Sequence, residues 1–194
     1  MGNPNGMRGG GGSAAAIAHG IGSGVSEGGI AGMQKLSEAE FHALGEYLGG
    51  KSNTMNTLLR TGTHTQTDII SRKDLKALIE KVDTAIAKGT LTTSQTLYRA
   101  TSLNKMGLTS APKVGEVIRD RAFLSTSRGS FDAKFTGNVR LTISAPKGTH
   151  AADVSHVVGG AERETLFSRG TRLRVTSVRT GADGVHHVSA EIVK

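Results

Sequence analysis

Three short stretches carry side chains whose types and spacing could do chemistry. In Gly159-Gly160-Ala161-Glu162-Arg163-Glu164 two glutamates stand one residue apart, directly after two glycines, in a chain whose formal charge is +8. Successive side chains of a strand leave on opposite faces, so a strand here puts Glu162 and Glu164 on one side and Arg163 on the other. Carboxylates held together raise each other's pKa and resist joint burial. Alone, they read better as an outward-facing pair on a surface strand. Two further stretches change the weighing. In Leu97-Tyr98-Arg99-Ala100-Thr101 one arginine sits among strand-forming residues, where its planar fork suits a bidentate grip on an anion such as a phosphate. In Phe123-Leu124-Ser125-Thr126-Ser127, strand geometry places Ser125 and Ser127 on one face and Thr126 on the other. Arginines and hydroxyls are common in strands, so each stretch is weak by itself. Their conjunction, in this order and with these gaps, is specific.

Other motifs carry less. Gly45-Glu46-Tyr47-Leu48-Gly49-Gly50-Lys51-Ser52 satisfies the phosphate-loop pattern, but that loop needs a buried strand before it and a helix after it. Helical periodicity precedes it here, so the glycines read as a helix end. The histidines are scattered without ligand spacing, and the adjacent His186 and His187 of one strand face opposite sides, so no metal is expected. The absence of cysteine excludes disulfides, thiolate-bound zinc and a cysteine nucleophile. The basic balance favours polyanions, phosphate-bearing ligands or an acidic partner without choosing among them.

The elements that must position these residues come in two runs. Residues 1–32 hold 12 of the 27 glycines and one residue of each charge, and read as a flexible glycine-rich leader. Order is expected from residue 33 to residue 194. Leu36, Phe41, Leu44 and Leu48 recur at helical spacing behind Ser37 as N-cap, with Gly49 and Gly50 as the stop. A short helix follows at Ser52–Arg60, and a longer one from Ser71 to Gly89, with Leu75, Leu78, Ile79, Val82 and Ile86 on one face. After Thr90 the period shortens to two. Strands are expected at 96–101, 121–127, 138–144, near 153–158, and at 162–167, 171–179 and 185–193. Helices first and strands after predict an α+β domain.

Arg99 in Leu-Tyr-Arg-Ala, the Ser125-Thr126-Ser127 motif and Glu162-x-Glu164 together resemble the mono-ADP-ribosyltransferases of the arginine–serine–glutamate type, a family of bacterial ADP-ribosylating toxins and effectors. Tyr47-Leu48-Gly49 and Met55-Asn56-Thr57-Leu58-Leu59-Arg60 are similar to that family's upstream elements. The pattern departs at Leu48, where a threonine is usual, and at Ala100, where glycine is frequent. The resemblance implies N-terminal helices packed on two roughly perpendicular antiparallel sheets with an NAD cleft. It implies that Glu164 faces the ribose cation formed as nicotinamide leaves, and that Glu162 takes the proton of an incoming arginine. Arg99 would hold the pyrophosphate or its ribose, and Ser125 would orient Glu164. Ala100, Thr126, Ser127 and Phe131 or Phe135 would complete the NAD-binding surface. Residues 155–161 would meet the target. The activity implied is NAD-dependent transfer of ADP-ribose to a target-protein arginine, by a secreted or injected effector acting in the target-cell cytoplasm. Actin or a bacterial tubulin-like filament protein are candidate targets, and an immunity protein is an expected partner. An NAD glycohydrolase, a basic nucleic-acid-binding or RNA-modifying domain, and an inactive interaction module are the alternatives.

Overall fold

Helix α1 (Glu38–Glu46) begins at Ser37, whose side chain accepts from Glu40 N at 3.3 Å while the Glu40 carboxylate accepts from Ser37 N at 2.7 Å. This reciprocal cap satisfies two of the orphan amides that open every helix. The computed structural model describes residues 24–64, 69–131, 137–155, 157 and 163–194. A five-residue π-type turn, Tyr47–Lys51, follows α1, with Gly50 at φ 120° where a side chain would be strained, and leads into α2 (Ser52–Thr61). The phosphate-loop lookalike is therefore a helix–kink–helix, and its Lys51 ammonium pairs with Glu46. Helix α3 (Arg72–Lys88) is capped by Ser71, which accepts from Asp74 N at 3.1 Å, and buries Leu75, Ile79, Val82, Ala85 and Ile86. Lys88 Nζ donates to Glu40 Oε2 at 2.6 Å, tying α3 to α1.

Among the described residues ten strands accompany the helices: β1 (Ile30–Ala31), β2 (Thr90–Leu91), β3 (Gln95–Thr101), β4 (Val117–Arg119), β5 (Leu124–Ser127), β6 (Val139–Ala145), β7 (Ala151–Asp153), β8 (Glu164–Phe167), β9 (Arg172–Thr180) and β10 (His186–Val193). Strands β1 and β2 form an antiparallel pair. The other eight run in the order β4-β9-β10-β6-β3-β5-β8-β7. The expected α+β class holds, and the two sheets of the expectation meet at a narrow junction. A five-stranded part ends at β3, a three-stranded part begins at β5, and the register between them is the single pair Tyr98–Ser127. Antiparallel pairing prevails, but β6 and β10 run parallel, Val139 beside His186. Strand β4 was not anticipated, because three residues are too few to show a period. Strand β7 ends at Asp153, where a strand had been expected to begin.

The core lies between the helices and the inner sheet face, built on Leu97, Leu141, Ile143, Val188 and Ala190 from the strands, with Phe123 just before β5 and Phe167 at the end of β8, all buried. With few aromatics available, a ring contact in this core joins Tyr47 to Phe123, edge to face at 5.6 Å. Residues 24–32 correct the leader boundary. Ile30 is fully buried, Gly28 N donates to Asp153 Oδ2 at 2.7 Å, and Val25 forms a bridge with Ala31. Glycine content pointed to a loose segment here, yet Gly28 and Gly32 make backbone approaches too close for a Cβ. Residues 1–23 lie outside the described part. Among the described residues no helix is long and apolar enough to cross a membrane.

Candidate active site

Strand β5 alternates as its sequence requires, with Leu124 and Thr126 buried and Ser125 and Ser127 half-buried on the opposite face. Its partner β8 is in register with Ser125 beside Leu166 and Ser127 beside Glu164. The Ser125 hydroxyl reaches diagonally across this ladder and donates to Glu164 Oε1. The diagonal is a normal cross-strand reach for two side chains sharing a face. Glu164 begins β8, and its backbone is tied on the other side, where Val154 N donates to Glu164 O at 3.2 Å. A carboxylate oriented by a hydroxyl, on a strand held from both sides, has little rotational freedom.

Arg99 comes from the inner face of β3. Its Nη1 donates to Ser125 O at 2.7 Å, and its Nη2 lies 3.7 Å from Asp120 Oδ2. The Arg and Ser motifs are thus in direct contact although 26 residues separate them. Burial pulls the Arg99 guanidinium below its ordinary value, opposed by Asp120, Tyr47 and Glu164. An arginine starts from so high a value that it stays a cation.

Asp120 is the central acceptor of this region. Oδ1 receives Arg60 Nε at 2.9 Å and Ala122 N at 2.9 Å, and Oδ2 receives Arg60 Nη2 at 2.6 Å. Two guanidiniums from α2 and β3 therefore share one carboxylate. Arg60 commits its Nε and Nη2 donors and Arg99 its Nη1 to fixed partners, and the assembly presents excess positive charge beside the Ser125–Glu164 pair. Tyr47 belongs to the same neighbourhood. Burial raises its phenol, against a hydrogen bond from Asn56 and the charges of Arg99 and Arg60, so it is neutral at physiological pH. Asn56 links the helices to the serine strand, donating to Tyr47 Oη at 3.1 Å and accepting from Phe123 N at 3.3 Å.

The expected site residues separate into groups. Arg99, Ser125 and Glu164 are brought together. Ser127 sits at the junction, its Cα paired with both Tyr98 and Glu164, and Ala100 follows Arg99 in the ladder, opposite Arg140. Thr126, expected at the dinucleotide, instead points into the core, where its hydroxyl donates to Thr165 O at 2.8 Å and locks β5 to β8. Phe131 packs edge to face on Tyr98 at 5.1 Å. Tyr98 leaves β3 on the side opposite Arg99, so that ring is not brought to the arginine. Glu162, Phe135 and most of the loop 155–161 lie outside the described residues. Sequence reasoning gave no role to Asp120, Arg60 or Asn56. The helical motif containing Asn56 and Arg60 was visible, but Asp120 stands in Arg119-Asp120-Arg121, a run that looks like ordinary surface charge.

An excess-cation cluster beside a hydroxyl-oriented carboxylate fits a dinucleotide with a charged diphosphate and a reactive sugar. A family model described as ADP-ribosyltransferase exoenzyme matches residues 30–192. The chain belongs to this ADP-ribosyltransferase exoenzyme family. Its matched span begins at the buried Ile30, inside the segment that composition had assigned to the leader. Among curated proteins, Exoenzyme T of Pseudomonas aeruginosa is 30% identical over 151 residues, which cover 77% of this chain and 31% of that protein. The NAD(+)--protein-arginine ADP-ribosyltransferase Tre1 of Pseudomonas putida is 35% identical over 101 residues, 52% of this chain and 19% of that protein. The chain thus spans less than a third of the length of these curated relatives. Among solved structures, the ADP-ribosylating toxin BECa of C. perfringens with NADH superposes with a TM-score of 0.71 at 24% identity, covering 83% of this chain and 45% of that one. C3stau2 from S. aureus with NAD gives 0.66 at 22% identity, covering 82% and 89%. The family resemblance carried by the three motifs is borne out, as is the α+β fold.

Proposed function

We propose that this chain transfers ADP-ribose from NAD to an arginine side chain of a target protein. The observation that carries the reading is the contact chain Arg99–Ser125–Glu164, in which one serine receives a buried cation on its backbone carbonyl and donates its hydroxyl to a carboxylate. Glu164 turns its charge toward the ribose as the glycosidic bond breaks and the bonding electron pair leaves with nicotinamide. That leaving group already carries the positive charge, so no general acid is required, in contrast to an O-glycosidase. Ser125 fixes the direction of the carboxylate, the kind of preorganised electrostatics that acts where charge develops. Arg99 and Arg60 face the diphosphate with the donors that Asp120 leaves unused. Glu162 accepts the proton that the attacking guanidinium must lose, since the protonated form has no free lone pair.

An acceptor arginine on a protein is supported by the Glu-x-Glu arrangement and by the protein-arginine ADP-ribosyltransferase activity for which Tre1 is named. Delivery into another cell, action in its cytoplasm and a neutralising partner are part of the same reading, supported by the toxin relatives. Filament proteins such as actin or a bacterial tubulin-like protein are candidate targets.

The test incubates wild type and Glu164→Ala with labelled NAD and with bacterial or eukaryotic lysate. Expected are nicotinamide release and a labelled protein with wild type, and neither with the variant. Release without any labelled acceptor assigns the chain as an NAD glycohydrolase instead. No release at all, with salt-sensitive nucleic-acid binding, removes the enzymatic reading.

A further inference from the structure

Resting on the proposed ADP-ribosyl transfer, we propose that Arg128 is a positioning residue for Glu164, bracing the point where the chain enters β8, and that the N-terminal strap Ser26–Gly28 completes the brace. Strand β8 lies between β5 and β7. Arg128 directly follows β5, and Asp153 is the last residue of β7. Their side chains meet, Arg128 Nη2 to Asp153 Oδ1 at 3.4 Å, joining the two strands that flank β8 at the end where Glu164 begins. The same Nη2 donates to Ser155 Oγ at 2.5 Å, and Arg128 N donates to Arg163 O at 2.8 Å. One residue thus holds Ser155 on one side of segment 156–162 and Arg163 on the other. Arg163 adjoins Glu164 on one side and Glu162 on the other.

Asp153 is buried in this brace and Arg128 half-buried. The Asp153 side chain is 2% exposed and that of Arg128 16%. Besides Arg128, the carboxylate accepts from Ser155 N at 3.1 Å and from Gly28 N at 2.7 Å. Although burial pushes the Asp153 carboxyl up, hydrogen bonds from Ser26 and Ser155 and the Arg128 charge hold it below its ordinary value. A Cβ on Gly28 would overlap the Arg128 guanidinium and the Asp153 carboxylate, so only glycine lets the strap come this close. None of these groups touches Arg99, Arg60 or Asp120. The brace therefore acts on the carboxylate strand and leaves the cationic cluster alone.

The experiment compares Arg128→Gln, Arg128→Lys and Gly28→Ala with wild type in the full chain. It measures nicotinamide release with and without a small alkyl-guanidine acceptor, NAD affinity by calorimetry, and amide hydrogen exchange at Arg128 and Val154. For Arg128→Gln the expected result is a kcat lower by roughly 10²-fold, the cost of displacing a reacting group by about 1 Å, with NAD affinity changed less than about 3-fold. Arg128→Lys keeps the charge but loses the fork, so it should restore about a tenth of the wild-type rate. Faster exchange at Val154, whose amide holds Glu164 O, should accompany each loss. A folded Arg128→Gln protein with near wild-type kcat and unchanged exchange overturns the proposal. So does a parallel fall of rate and NAD affinity, which marks general unfolding. If wild type itself releases no nicotinamide, the transferase reading fails; unchanged exchange in Arg128→Gln then removes the brace as well, whereas faster exchange retains it as the register lock of β8.

Discussion

Asp120→Asn tests the electrostatics of the cationic cluster most directly. The substitution keeps the shape and one acceptor oxygen but deletes the carboxylate that Arg60 and Arg99 both approach, at 2.6 and 3.7 Å. The Arg60 side chain is 21% exposed and that of Arg99 14%, so neither can turn freely to water. Removing one partner of a buried ion pair costs about 3–5 kcal/mol, because the surviving charge stays desolvated. The partial exposure of Arg60 argues for the lower end, about 3 kcal/mol. In a domain of this size each kcal/mol lowers Tm by roughly 2–4 °C, so a fall of about 6–12 °C is expected by calorimetry. The matched control is Asp83→Asn, whose carboxylate meets Arg169 at 2.9 Å near the surface. Burial raises the Asp83 carboxyl in spite of Arg169, so its ionised form gains nothing from folding and neutralisation should cost little. NAD should then stabilise Asp120→Asn more than it stabilises wild type, since a bound diphosphate returns negative charge to two uncompensated guanidiniums. A drop in Tm within about 2 °C, equivalent to less than ~1 kcal/mol, would refute the shared-carboxylate argument.

Three further outcomes follow from the same contacts. Ser125→Ala removes a hydrogen bond to a charged acceptor worth about 1.5–3 kcal/mol, so kcat for nicotinamide release should fall roughly 10- to 10²-fold with KM for NAD little changed. Burial pushes Glu40 up, but its hydrogen bonds from Lys88 and Ser37 outweigh this and leave it below the ordinary 4.5. A carboxyl lowered in the folded state contributes stability above the unfolded value and loses it as pH falls through the folded one. Wild type should therefore exceed Glu40→Gln in urea unfolding at pH 7, with the gap closing as pH falls below the ordinary 4.5 and through the lowered folded value. Ile30→Ala deletes a fully buried side chain of β1 and should cost about 2–5 kcal/mol in the same assay, whereas a loosely attached residue would cost almost nothing.

Periodicity was enough for the long elements. The boundaries of α3 follow from Ser71 and Gly89, because caps and apolar spacing act within one helix and need no distant partner. The strand carrying Arg99 and the alternation of Ser125, Thr126 and Ser127 were legible for the same reason, since the pleat sets which side chains share a face. It was the pleat, too, that marked Thr126 as pointing away from Ser125, yet the motif drew it into the expected dinucleotide surface, and its hydroxyl turned out to lock two strands. Short elements failed the method: β1, β2 and β4 have two or three residues, and nothing periodic fits in that length.

By itself, then, the amino-acid order determined which residue types could perform glycosyl chemistry and that helices would precede strands. It could not say which charges would be neighbours. Arg60 meets Asp120 across 60 positions and Gly28 meets Asp153 across 125, contacts that exist only in the folded chain. Local preferences decide what each segment becomes. Which buried charge finds which partner is decided by desolvation, and desolvation is a property of the packed whole.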